Sequence, residues 1–163
     1  MTGTAPERDP GSRVALTADQ LNEFLAAAFP QLQLPMRVVR ADGEADEVEV
    51  VQPFDDRQLR PGGTVSGPTL MTLADTTAYV AVVSGLGPEF LAVTSHLAID
   101  FLRKPPPAGL VAVGSVVKRG RRQVLVVVRI SSEAGGELVA HATVTYALPS
   151  VPTVDRAGGP PAP

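Results

Sequence analysis

One acidic residue, Asp75, sits where chemistry is possible. It lies in the stretch Arg60-Pro-Gly-Gly-Thr-Val-Ser-Gly-Pro-Thr-Leu-Met-Thr-Leu-Ala-Asp75, a glycine-rich loop that runs into a largely apolar segment reaching Ser84. A carboxylate set among apolar residues is tolerated only when it is hydrogen-bonded, charge-paired or used. The other reactive types are sparse. Ser66 has no histidine at a readable spacing to activate it as a nucleophile, and His96 and His141 read as ordinary surface or interface residues on strand faces. Cysteine is absent, which excludes disulfides and thiolate metal sites, and two separated histidines make an all-protein transition-metal site unexpected. Cations cluster twice. Lys118, Arg119, Arg121 and Arg122 fall together at an expected hairpin turn, and Arg103 and Lys104 precede a triple proline. Each group reads either as a solvated charged loop or as a seat for phosphates.

The element that carries Asp75 is a helix expected over 67–84. Pro68 at a first helical position costs no hydrogen bond, and no proline or glycine interrupts the run from Thr69 to Ser84. Leu70, Met71, Leu73, Ala74, Ala78, Ala81 and Val82 cover most of its circumference, whereas Thr69, Thr72, Thr76 and Tyr79 form one narrow polar stripe bordered by Asp75. Such a helix is buried almost all round. Thr72, Thr76 and Thr77 read as packing or back-bonding hydroxyls, with Thr76 and Thr77 within a turn of Asp75, so that one of them could orient a substrate. Leu70, Met71, Tyr79, Phe90 and Leu91 serve equally as core or as the lining of an apolar tunnel.

A sheet must surround that helix. Met36–Arg40 and Glu47–Val51 read as two antiparallel strands, followed by a loop from Pro53 to Gly63. After the helix come four strand-like segments, Leu91–Leu102, Leu110–Lys118, Gln123–Ser131 and Leu138–Leu148, whose short connections predict an antiparallel meander. Val124–Val128, apolar without alternation, predicts a central strand covered on both sides, as by a second subunit. The fold class is α+β: a sheet of about five to six strands around one long helix. An accessory helix is expected over 17–29, capped by Thr17 or Asp19 and stopped by Pro30. Residues 1–16 and 149–163 read as disordered tails, leaving one domain over 17–148.

Composition bounds the partners. A chain of 163 residues with 44% hydrophobic and 19% charged residues can bury a full core, and its net charge of −3 argues against a general nucleic-acid binder. The N-terminal residues lack the apolar core of a secretory signal, and no apolar run reaches bilayer length, so a cytoplasmic protein without membrane contact is expected.

Taken together, the glycine-rich loop, the helix with Leu-Ala-Asp, the Ala-Val-Thr strand ending in Phe-Leu-Arg-Lys-Pro, the Lys-Arg-Gly-Arg-Arg turn and the final Leu-Val-Ala-His-Ala-Thr-Val-Thr-Tyr strand resemble a family. It is that of the hotdog-fold acyl-CoA thioesterases of the PaaI-like, phenylacetate-pathway group, over about residues 36–148. The resemblance implies hydrolysis of an acyl-CoA thioester without metal or cofactor, in homodimers joined sheet edge to sheet edge and often paired into homotetramers. It implies that Asp75 is the helix carboxylate, acting as general base or nucleophile, and that the Gly67 amide polarises the thioester carbonyl. Thr94 corresponds to a hydroxyl that helps place water in the partner subunit. The substrate side falls on Arg60, Ser66, Thr76, the Arg103/Lys104 pair and the Lys118–Arg122 turn. Two positions depart from the family pattern: Ser66-Gly67-Pro68 stands where His-Gly-Gly is frequent, and Arg60 where Asn or Gln is frequent. The missing histidine keeps a second class open, a module that binds or senses acyl-CoA without turning it over. A hydratase or dehydratase is the weaker third reading, for want of an Asp–His pair.

Overall fold

A computed structural model describes residues 15–30, 36–43, 46–87 and 91–149. The expected tails therefore lie almost wholly outside the described residues, as does Phe90. Leu16, assigned to the N-terminal tail, is instead tied down: its N–H donates to the Ser84 carbonyl at 3.2 Å and its side chain packs on the core.

Helix α1, Ala18–Ala28, begins at a reciprocal cap in which Thr17 accepts from the Gln20 N–H and the Gln20 side chain accepts from the Thr17 N–H. Strands β1 (Arg37–Asp42) and β2 (Glu47–Gln52) pair antiparallel, and the amide of Asn22 on α1 bonds both backbone groups of Val38, covering that edge of the sheet. The stretch read as a plain loop holds a 3₁₀ turn at Asp56–Gln58 and a two-stranded ribbon, β3 (Leu59–Arg60) with β4 (Thr64–Val65). Positive φ angles of 103° at Gly62 and 74° at Gly63 explain the paired glycines between them.

Helix α2 spans Gly67–Leu86, with Ser66 as its cap and Pro68 in its first turn. Its C-terminal half is buried from Thr77 through Gly85, whereas Pro68, Met71 and Thr72 are exposed and Asp75 and Thr76 half-buried. Among the described residues α2 is the one helix long and apolar enough to span a bilayer, and it lies instead against the sheet as the core.

Strands β5 (Val93–Phe101), β6 (Leu110–Arg119), β7 (Gln123–Ser132) and β8 (Leu138–Ala147) complete one six-stranded antiparallel sheet, ordered β1-β2-β6-β7-β8-β5. This is the hotdog architecture. The expected meander holds only for β6-β7-β8. β5 pairs with β8 at the opposite edge, and β6 returns to β2. The connection 102–109 crosses the end of the sheet instead of turning back, because Pro105, Pro106 and Pro107 have no N–H to give a hairpin ladder. Val124–Val128 is central, as expected, but its burial alternates: Val124, Val126 and Val128 are buried, Leu125 and Val127 half-buried on the outer face.

The helix and sheet approach closely at Gly114 of β6. A Cβ there would stand 2.9 Å from Thr77 Cγ2 and 3.3 Å from the Thr77 carbonyl oxygen. Gly114→Ala is therefore expected to lower stability by about 1–3 kcal/mol through overpacking. Denaturant unfolding checks this, and an unchanged midpoint would show that α2 can move off the sheet.

Candidate active site

Asp75 projects from the half-open N-terminal part of α2, and two hydroxyls meet it. Thr94 Oγ1 donates to Asp75 Oδ1 at 2.7 Å, and the Tyr146 phenol donates to the same oxygen at 2.8 Å while lying 3.1 Å from the Asp75 carbonyl. No bond reaches Oδ2 among the described residues. Burial pushes the Tyr146 phenol far above its ordinary pKa, so it stays a proton donor.

Thr94 reaches Asp75 because of a bulge. The register of β5 on β8 shifts between Thr94 and His96, with Ser95 as the extra residue. Without it Thr94 would face the same side as His96, Ala98 and Asp100; with it Thr94 lies opposite Tyr146 on the helix side. Thr94, which the resemblance matches to a hydroxyl that helps place water in the partner subunit, bonds the Asp75 of its own chain.

Gly67 is elsewhere. Eight residues along a helix amount to about 12 Å, so the Gly67 amide and the Asp75 carboxylate of one chain cannot flank one carbonyl carbon. Gly67 is the first helical residue, where an N–H has no intrahelical acceptor; Pro68 has none to offer, and Ser66 Oγ accepts that of Thr69 at 3.4 Å. The Gly67 N–H thus has no acceptor among the described residues and lies at the positive end of the helix dipole. Its glycine is not demanded by the backbone: no positive φ occurs there, and an added Cβ would meet the Phe101 ring at an ordinary 3.4 Å.

Around that amide lies a cavity of about 360 Å³, lined in part by Arg60, Gly67, Leu70, Phe101, Arg103 and Lys104. Three expected substrate cations are thereby brought to one place. One Arg103 nitrogen is held by the Leu138 carbonyl at 2.8 Å. Ser66, rather than facing a substrate as a free hydroxyl, caps α2 and shares a 2.8 Å bond with Thr69. Thr76 is half-buried beside Asp75 with no hydrogen bond from its side chain among the described residues.

The basic turn divides. Lys118, Arg121 and Arg122 are exposed, but Arg119 points inward, where it pairs with Asp46 at 3.2 Å and donates to the Val82 carbonyl at 3.4 Å. A second bulge causes this, the β6–β7 register shifting between Val116 and Lys118. Arg119 is thus built into the packing of α2 rather than offered to phosphates. Tyr146 was the site residue that sequence reasoning missed; alternation along β8 places it on the core face but says nothing of what its hydroxyl meets.

A half-buried carboxylate with one oxygen held by two donors and the other open, and a helix N-terminal amide about 12 Å along the same helix, are the kinds of group that acyl transfer to water uses. Comparisons with known proteins agree with that class. The thioesterase superfamily model matches residues 62–139. The chain is 35% identical to a candidate thioesterase from Silicibacter sp. TM1040, over 83% of this chain and 94% of that one, with a TM-score of 0.76. It is 30% identical to a candidate thioesterase, a phenylacetic acid degradation-related protein, from Ralstonia eutropha JMP134, over 74% and 89% of the two chains with a TM-score of 0.64. The PaaI protein of the Escherichia coli phenylacetic acid degradation operon, at 21% identity over 82% and 96%, shares the fold with a TM-score of 0.66. A comparison with curated proteins gave no match. The chain belongs to the hotdog-fold thioesterase superfamily, PaaI-like as the resemblance implies.

Proposed function

We propose that this chain hydrolyses an acyl-CoA thioester to free acid and CoA, in a site assembled from two copies. The observation that carries the proposal is the Asp75 carboxylate, bonded twice at Oδ1 and open at Oδ2. Oδ2 accepts a proton from water as the water oxygen bonds to the acyl carbon. The carbonyl electrons move onto oxygen, where the Gly67 N–H of a second copy stabilises the charge. Collapse of that intermediate breaks the carbon–sulfur bond, and the thiolate of CoA leaves and takes up the proton.

The 12 Å separation requires the second copy, and the β5 edge is where it fits. Among the described residues β5 has no strand on its far side, and Val93, Phe101 and Leu102 on or beside it are 63, 52 and 49% exposed, with Met71 on the open face of α2 at 43%. A strand edge and apolar patch of this kind are built to be covered. The dimer is the working unit, and a tetramer through the outer sheet face is compatible with it.

For the phosphates of CoA, the cavity beside Gly67 with Arg60, Arg103 and Lys104 is the better seat, since it converges on the oxyanion donor. Thiol release from acetyl-, hexanoyl-, phenylacetyl- and palmitoyl-CoA tests the activity; release from none of them would leave the binding-module reading. Arg103→Ala with Lys104→Ala is expected to raise KM for an accepted acyl-CoA by about 10-fold and to reduce its salt dependence, with kcat on a pantetheine thioester nearly unchanged. A larger KM effect from Arg121→Ala with Arg122→Ala would move the phosphates to the β6–β7 turn.

A further inference from the structure

The Tyr146 hydroxyl is not needed to fill space, since a phenyl ring would occupy the same volume. Its residue is 3% exposed, so its hydroxyl is removed from water and must be repaid by a partner, and that partner is Asp75. The ring is also held still. It lies 5.7 Å from the Tyr79 ring, which contacts Phe24 at 6.2 Å and Phe29 at 5.6 Å at the end of α1. The accessory helix thereby braces the strand residue that grips the carboxylate.

Two donors on one carboxylate oxygen do what one cannot. A single bond from Thr94, itself on an exposed edge strand, leaves the carboxylate free to pivot about that contact. A second donor from the opposite strand, rigid and never deprotonated, fixes the plane and leaves only Oδ2 for water. We infer that Tyr146 is a positioning residue for the proposed hydrolysis, clamping Asp75 Oδ1 so that Oδ2 alone serves as the base. The inference rests on the reading of Asp75 as the catalytic carboxylate.

The test is Tyr146→Phe in the full chain, assayed by thiol release from hexanoyl- and phenylacetyl-CoA alongside the wild type. The expected result is a fall in kcat of about 10-fold, as for other residues that orient a reacting group, with KM and melting temperature close to wild type. In an Asp75→Asn background the same substitution should cost nothing further, because a residue acting through Asp75 has nothing left to orient. Unchanged kcat overturns the inference while leaving the hydrolase reading intact, and so does an equal fold-loss in both backgrounds. Where phenylalanine lowers the melting temperature, 4-fluorophenylalanine at 146 keeps the volume without the donor, and wild-type kcat in that folded variant overturns the inference equally. A wild-type chain inert toward both thioesters overturns the activity and the Tyr146 role together.

Discussion

Asp75→Asn is expected to lose kcat by about 10²-fold or more while still binding acyl-CoA, since it removes the proton acceptor but keeps the shape. Asn can still accept the Thr94 and Tyr146 bonds through its amide oxygen, so the local geometry at Oδ1 survives. The exposed side of the carboxylate loses its basic oxygen. Turnover, acyl-CoA binding by calorimetry and melting temperature on the same two proteins separate the alternatives. A structural carboxylate would show a lowered melting temperature with turnover per folded molecule retained. A pure binding module would show no hydrolysis in either protein. A folded and fully active Asp75→Asn variant would refute the mechanism.

Gly67→Pro should cost a similar factor, about 10²–10³ in kcat, because it deletes one N–H and with it the oxyanion donor. The fold should accept it. Proline is favoured in the first turn of a helix, and Ser66 before it already has φ −77° and ψ 153°, the extended range a residue preceding proline prefers. The stronger consequence is complementation. If each site takes Asp75 from one chain and Gly67 from the other, a mixed dimer of Asp75→Asn and Gly67→Pro chains contains one fully intact site. Random co-assembly of these two inactive chains should then restore about a quarter of wild-type activity, as the symmetry of a two-fold dimer dictates. Sites built within single chains would stay dead in the mixture. Light scattering on the same sample fixes the assembly, and a monomer at micromolar concentration would remove the shared site.

Much of this was legible from residue order. The helix expected over 67–84 runs to Leu86, and the four later strands fall within about two residues of their expected limits, because proline, glycine and apolar periodicity are local signals that act before any tertiary contact. The α+β class and the placement of Asp75 on a helix embedded in a sheet came from the same signals. The partner of β5 did not, since a short proline-rich connection looks like a hairpin until one counts which N–H groups the ladder would need.

The sequence by itself determined that one carboxylate would stand on a core helix about two turns from that helix's N-terminal amide, since Pro68 marks the helix start and the apolar run carries it past Asp75. Only the tertiary structure decided which side chains face it. One extra residue at Ser95 turns Thr94 toward Asp75, and one at Val117 turns Arg119 away from solvent and onto α2. A bulge reverses the facing of every residue on one side of it while leaving composition and periodicity nearly unchanged, so it is set by how two strands pair and not by either strand alone.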